Sequence, residues 1–202
     1  MKQRNCMEYN DVVRLVEKSI KECETTILNC PGCVLSEADF ERKLTNIIDD
    51  HLHEHKDVGW EVHSQISCYY YNKEEESKMD KAENCKRKPD YRVDIVLFKS
   101  DYLYESDKHH KGFIYTNASI AIELKYFRTR DSIKEIDNDF EKSELLTNGG
   151  ADKDSTLFIV PLFEKYCTKK IENINNRKAK LDSHKVRVHI LCKENINKIN
   201  NN

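Results

Sequence analysis

Apolar residues near the start of the chain recur three or four positions apart, at Val12, Val16, Ile20, Cys23 and Ile27. That spacing stacks side chains on one helical face, so it predicts an amphipathic helix over roughly residues 10–28. Cys30-Pro31-Gly32-Cys33 interrupts the pattern. Ser36 is a good N-cap for a second helix, with Glu37 and Asp39 in its first turn and Phe40, Leu44, Ile47, Ile48 and Leu52 as its stripe. The period then drops to two: Trp60, Val62, Ser64 and Ile66 alternate with Glu61, His63 and Gln65, as in a half-buried strand. Residues 72–90 are charge-dense and predict an exposed or partly disordered loop. Arg92–Phe98 and Ser119–Phe127 read as strands apolar on both faces, separated by a polar connection over 100–117. A helix over Ile133–Leu146, stopped by Asn148-Gly149-Gly150, precedes a strand at Leu157–Phe163. A charged helix over 164–180, a strand at Val186–Cys192 and a frayed Asn-rich tail over 196–202 complete the chain. Two helices, three strands and then alternating helices and strands predict the α/β class, with a mixed β-sheet flanked by helices. There is no internal repeat. The 202 residues are expected to form one domain, with residues 1–35 as an N-terminal helical extension.

Composition narrows the range of functions. With 38% apolar and 35% charged residues, the chain can bury a core, which argues against wholesale disorder. The 34 basic and 36 acidic residues leave a formal charge of −2, so no bulk field draws the chain to nucleic acid or to a membrane. The longest apolar runs, such as Phe158–Phe163, are six residues or fewer, too short to span a bilayer. Residues 1–15 lack the apolar segment of a signal peptide. The expectation is a cytoplasmic protein with no membrane partner, its eight cysteines reduced rather than paired.

Candidate chemistry lies where charge interrupts the two doubly apolar strands. A charge there is costly unless it is paired or holds a metal. Asp94 interrupts the first strand; Glu123 and Lys125 interrupt the second. Residues two apart share a strand face, so Glu123 and Lys125 lie with Ala121, while Ile120, Ile122 and Leu124 take the opposite face. If the strands pair, Asp94 can lie opposite Glu123, and two hard carboxylate donors suit Mg²⁺ or Mn²⁺ better than Zn²⁺. Glu-x-Lys by itself says little, since it also occurs at Glu54–Lys56 and Glu76–Lys78. Only the third copy is embedded in an apolar strand that follows another strand carrying an Asp.

An acidic residue in a helix, then Asp in a strand, then Glu-x-Lys in the next strand resembles the PD-(D/E)XK nuclease pattern. The segments here are Phe40-Glu41-Arg42-Lys43-Leu44, Val93-Asp94-Ile95-Val96 and Ile122-Glu123-Leu124-Lys125. The resemblance covers roughly residues 36–163 and implies a restriction-endonuclease-like fold and Mg²⁺-dependent phosphodiester hydrolysis, with Mn²⁺ as substitute. By that resemblance Asp94, Glu123, the backbone carbonyl of Leu124 and Glu41 would hold metal, with Glu37 as the substitute for Glu41. Lys125 would orient the attacking water and stabilise charge. Arg128, Arg130 and Lys134 could contact flanking phosphates. Two departures are the absence of a Pro directly before Asp94, where Pro89-Asp90 lies upstream, and the long interval from 94 to 123. The implied activity is a DNA endonuclease of the restriction, defence or DNA-processing type, acting alone, as a homodimer or with a partner protein. The alternative is an inactive member of the same fold that binds nucleic acid or protein.

Other patterns read as structural. His51-Leu52-His53-Glu54-His55 matches the H-x-x-E-H of inverted zinc peptidases, but it falls where a helix is ending and predicts solvated histidines. Cys30 and Cys33 could form half a zinc site or a redox pair, yet the intervening Pro-Gly suffices as an interhelical turn. His109 and His110 are expected in a polar loop, and Tyr69, Tyr70 and Tyr71 at a strand end.

Overall fold

The computed structural model describes residues 7–55, 59–69, 91–99, 113–114, 120–128, 131, 134, 136–141, 156–181 and 185–194. Helix α1 spans Tyr9–Asn29 and buries Val12, Val16, Ile20, Cys23 and Ile27, the five residues of the sequence stripe. It ends in one 3-10 turn, Pro31–Cys33, closed by the Cys33 N–H donating to the Cys30 carbonyl at 3.0 Å. Helix α2 spans Glu37–Glu54 and is capped as predicted, the Ser36 hydroxyl accepting the Asp39 N–H.

Four long strands make the body of one sheet: β1 (Trp60–Tyr69), β2 (Tyr91–Lys99), β4 (Ile120–Phe127) and β5 (Thr156–Phe163). Three short ones complete it, β3 (Phe113–Ile114), β6 (Val186–Val188) and β7 (Leu191–Cys192). The order is β3-β1-β2-β4-β5-β6, with β7 also on β5. β2 runs antiparallel to β1 and β4, while β4, β5, β6 and β7 run parallel, so the sheet is mixed. β3 falls in the connection expected to be polar, and the predicted last strand is broken at His189-Ile190 into β6 and β7. The charged helix is shorter than predicted, α3 at Thr168–Lys178.

Both sheet faces are buried. One packs Ile95, Leu97, Ile120, Ile122, Leu124, Phe158, Val160 and Leu162 beneath α1 and α2. The other packs Val96, Phe98, Ala121, Phe127, Leu157, Ile159 and Phe163 with Ile136 and Phe140 of the helical segment 136–141 and Ile174 of α3. This three-layer arrangement is what doubly apolar strands require, because an uncovered face would leave that surface in water. The α/β class and the mixed sheet flanked by helices are as expected. Asp90, the 72–90 loop, His109, His110, Tyr70, Tyr71, Arg130 and the 196–202 tail lie outside the described residues.

Candidate functional site

The site begins where a ladder stops. β2 and β4 pair at Leu97–Ile120, Val96–Ala121 and Ile95–Ile122. One further step would set Asp94 opposite Glu123, but no pair is formed there, and the backbone N–H of Leu124 donates to Asp94 Oδ2 at 2.7 Å. Two residues on, the Tyr126 N–H donates to Glu37 Oε2 at 3.3 Å. Side-chain carboxylates thus satisfy N–H groups of β4 beyond its ladder with β2. The fork between the strands gathers acidic residues from β2 and α2 alongside β4.

Lys125 stands among them with its side chain 17% exposed, Nζ lying 3.5 Å from Glu37 Oε1 and 3.8 Å from Asp139 Oδ2. Burial alone would lower the Lys125 pKa, but Asp139, Glu37, Asp94 and Glu123 together outweigh it and hold the ammonium above its ordinary value. Glu123 is 2% exposed on the same face of β4 as Lys125. Glu41, one helical turn after Glu37, accepts from Gln65 Nε2 at 2.7 Å, and the same nitrogen lies 3.2 Å from Asp94 Oδ1. Desolvation raises the Glu41 pKa; the Asp94 and Glu37 charges push it the same way, and hydrogen bonds from Gln65 and Ser64 oppose the rise. An open groove of ≈ 630 Å³, lined by Glu37, Glu41, Arg42, Thr45, Asn46 and Gln65, borders the cluster between α2 and β1.

Asp94, Glu123, Lys125 and Glu41 are therefore brought to one region, and Leu124 joins them through its N–H. Among the described residues, no group of three or more His, Cys, Asp or Glu side chains is arranged to hold a metal ion. The carboxylates instead contact Lys125, Gln65 and the β4 backbone. Arg128 and Lys134 are exposed; the Arg128 N–H donates to Asp131 Oδ2 at 2.6 Å.

Sequence reasoning missed two residues, Asp139 and Gln65, and named Glu37 only as the substitute for Glu41. Asp139 is 1% exposed yet falls between Ile136 and Phe140 at helical spacing, a charge on an apolar stripe and the same signal that marked Asp94. Glu37 takes the Lys125 contact, although Glu41 was the expected helix carboxylate. Gln65 carried no signal, because a polar residue on an alternating strand is ordinary.

The histidine motif departs from expectation at one position. His53 and His55 are exposed as predicted, but His51 is 6% exposed, with Nδ1 2.8 Å from Ser19 Oγ and Nε2 3.0 Å from Glu22 Oε2. Both ring nitrogens are engaged within the protein, which argues against a zinc-ligand role. The Ser-His-Glu geometry resembles a nucleophile relay, but Ser19 is 0% exposed beneath α2, where no substrate can reach it.

No family model, curated protein or solved structure matches the chain. Among the described residues, no helix is long and apolar enough to cross a membrane.

Proposed function

We propose that this protein is a divalent-metal-dependent nuclease of the restriction-endonuclease-like type that hydrolyses phosphodiester bonds, with DNA as substrate. The observation that carries the reading is the fork between β2 and β4, where Asp94, Glu123 and a carboxylate of α2 gather around a half-buried, charged lysine. Buried charge gathered at a strand fork is costly, and such clusters concentrate at functional sites. The carboxylate donors are hard oxygens, the ligand chemistry that suits Mg²⁺ or Mn²⁺, although among the described residues they are not grouped as a ready-made metal site.

Asp94, Glu123 and Glu41 would hold Mg²⁺ or Mn²⁺, which when bound would activate water and neutralise charge on the phosphate. Lys125 stays protonated among its carboxylates, so its chemistry is donation: it orients a water and stabilises negative charge as that develops. Glu37 and Asp139 hold its ammonium in place. Exposed Arg128 and Lys134 would contact flanking phosphates.

The test is cleavage of plasmid and branched DNA with Mg²⁺ or Mn²⁺, comparing wild type with Asp94→Ala and Lys125→Ala after each variant's fold is checked by circular dichroism. Metal-dependent cutting lost in both variants supports the reading. A wild type that cuts neither substrate under any condition refutes it. One observation favours a second reading, a non-catalytic binding module: the ion pairs of Lys125 with Glu37 and Asp139 could be wholly structural. That reading requires specific DNA or protein binding that survives Asp94→Ala.

A further inference from the structure

The turn between α1 and α2 carries chemistry that the fork does not use, a pair of thiols. Cys30 closes α1, its N–H donating to the Thr26 carbonyl at 2.9 Å, and the Cys33 N–H donates to the Cys30 carbonyl at 3.0 Å. A turn closed in that way holds its first and fourth α-carbons within about 7 Å. A disulfide needs about 4.4–6.8 Å between the same two atoms. Both thiols are free, Cys30 exposed and Cys33 half-buried. The far side of the turn is anchored too, since Val34 is buried and its carbonyl accepts from Lys193 Nζ. Pro31 and Gly32 are exposed, and a Cβ at Gly32 would meet nothing within 4 Å, so the tip of the turn is open to an incoming molecule.

We propose that Cys30 and Cys33 are a reversible redox pair that takes a low-molecular-weight disulfide as its oxidant. Cys30 is the entry thiol, because it is the exposed member and attack requires access. Its thiolate attacks one sulfur of the small disulfide RSSR. A bond forms between Cys30 Sγ and that sulfur, and the other half leaves as RS⁻ and takes up the proton that Cys30 released. The Cys33 thiolate then attacks Cys30 Sγ and expels the second RS⁻, which is protonated in the same way. Two protein thiols are oxidised to one disulfide, and one RSSR is reduced to two RSH. The turn already holds both cysteines, so the second attack is intramolecular and needs no further ordering of the chain. An excess of small thiol reverses both steps.

Cys23 is a third thiol close to the turn, and it takes no part. It is 0% exposed, and burial, with the Cys33 charge adding to it, pushes its thiol up to about 12. The thiolate is the nucleophile, and Cys23 stays a thiol at neutral pH. The redox pair draws on nothing in the fork and stands or falls apart from the nuclease reading.

The experiment equilibrates the full chain with glutathione disulfide and glutathione, quenches with an alkylating agent and reads by mass the tryptic segment 22–42, which carries Cys23, Cys30 and Cys33. Wild type is compared with Cys30→Ser and Cys33→Ser. In wild type the segment should lose two hydrogens, keep Cys23 alkylated and give no fragment ions from breaks between positions 30 and 33. Dithiothreitol should restore all three thiols. Cys33→Ser should stop at a glutathione adduct on Cys30, and Cys30→Ser should leave Cys33 alkylated. At about 1 mM glutathione the bridged form of wild type should outnumber its glutathione adduct by about tenfold or more. A wild type whose Cys30 and Cys33 both stay alkylated, one that stops at the adduct, or one that bridges Cys33 to Cys23 overturns the proposal.

Discussion

Replacing Lys125 by Met and Asp139 by Asn, singly and together, tests whether the charge cluster is a coupled unit. Asp139 is 1% exposed and lies 3.8 Å from Lys125 Nζ. At that separation a unit ion pair gains about 4 kcal/mol at an effective dielectric constant of about 20, before the desolvation of both charges is subtracted. Lys125→Met takes a cation away from buried carboxylates, a change of the kind that costs about 3 kcal/mol or more. Asp139→Asn costs less, about 1–2 kcal/mol, because Lys125 keeps Glu37 at 3.5 Å. In the double variant the cation and its deepest carboxylate leave together, so the loss should fall short of the sum of the singles by about 1.5–2.5 kcal/mol. Urea unfolding at pH 7.5 measures all four corners of the cycle. The coupling should persist in 0.5 M NaCl, since screening acts weakly on a buried pair. Single losses that add to within about 0.5 kcal/mol would show that Asp139 does not hold Lys125, and the account of the fork would fail.

Three further outcomes follow from the same geometry. Glu41 has a raised pKa, so the folded chain binds its proton more tightly than the unfolded chain, and ionisation costs stability as pH rises above the ordinary value of 4.5. Glu41→Gln should therefore raise Tm at pH 7, with the gain closing as pH falls towards that value; a gain independent of pH would refute the cause. Ser19→Ala deprives His51 Nδ1 of its buried hydrogen-bond partner and should cost about 1–3 kcal/mol by urea unfolding. Adding His51→Leu should recover part of that loss; a larger loss in the double variant would contradict the structure. Ser36→Ala removes the N-cap of α2 and should cost about 1 kcal/mol. It should also release the Asp39 carboxyl, now held low first by the Ser36 hydrogen bond, so the Asp39 pKa measured by NMR should rise.

Much of this fold could be read from periodicity because burial imposes periodicity. The α1 and α2 stripes and the two-sided apolar strands β2 and β4 are consequences of packing a helix layer on each face of one sheet, and they appear in the sequence for that reason. Short elements escaped. β3 is two residues long, too short to repeat its alternation, and in the predicted strand Val186–Cys192 what escaped is the break at His189-Ile190 that divides it into β6 and β7.

The site was legible to the extent that it breaks the same rule. Asp94, Glu123 and Lys125 stand out because a charge in a doubly apolar strand contradicts its neighbours, and Asp139 contradicts Ile136 and Phe140 in the same way on a helix. What could not be read is how the charges are shared. Charge spacing did not distinguish Glu37 from Glu41; that follows from where the β2–β4 ladder stops and leaves the Tyr126 N–H for Glu37 to accept. Gln65 breaks no pattern, and its importance lies wholly in backbone conformation, a φ of 53° inside β1, and in distance. The two kinds of residue should therefore respond differently to substitution. Those betrayed by misplaced charge carry a stability cost that neutralisation relieves when the partners are removed together, whereas Gln65 carries its cost in the backbone, where Gly relieves it and Ala does not.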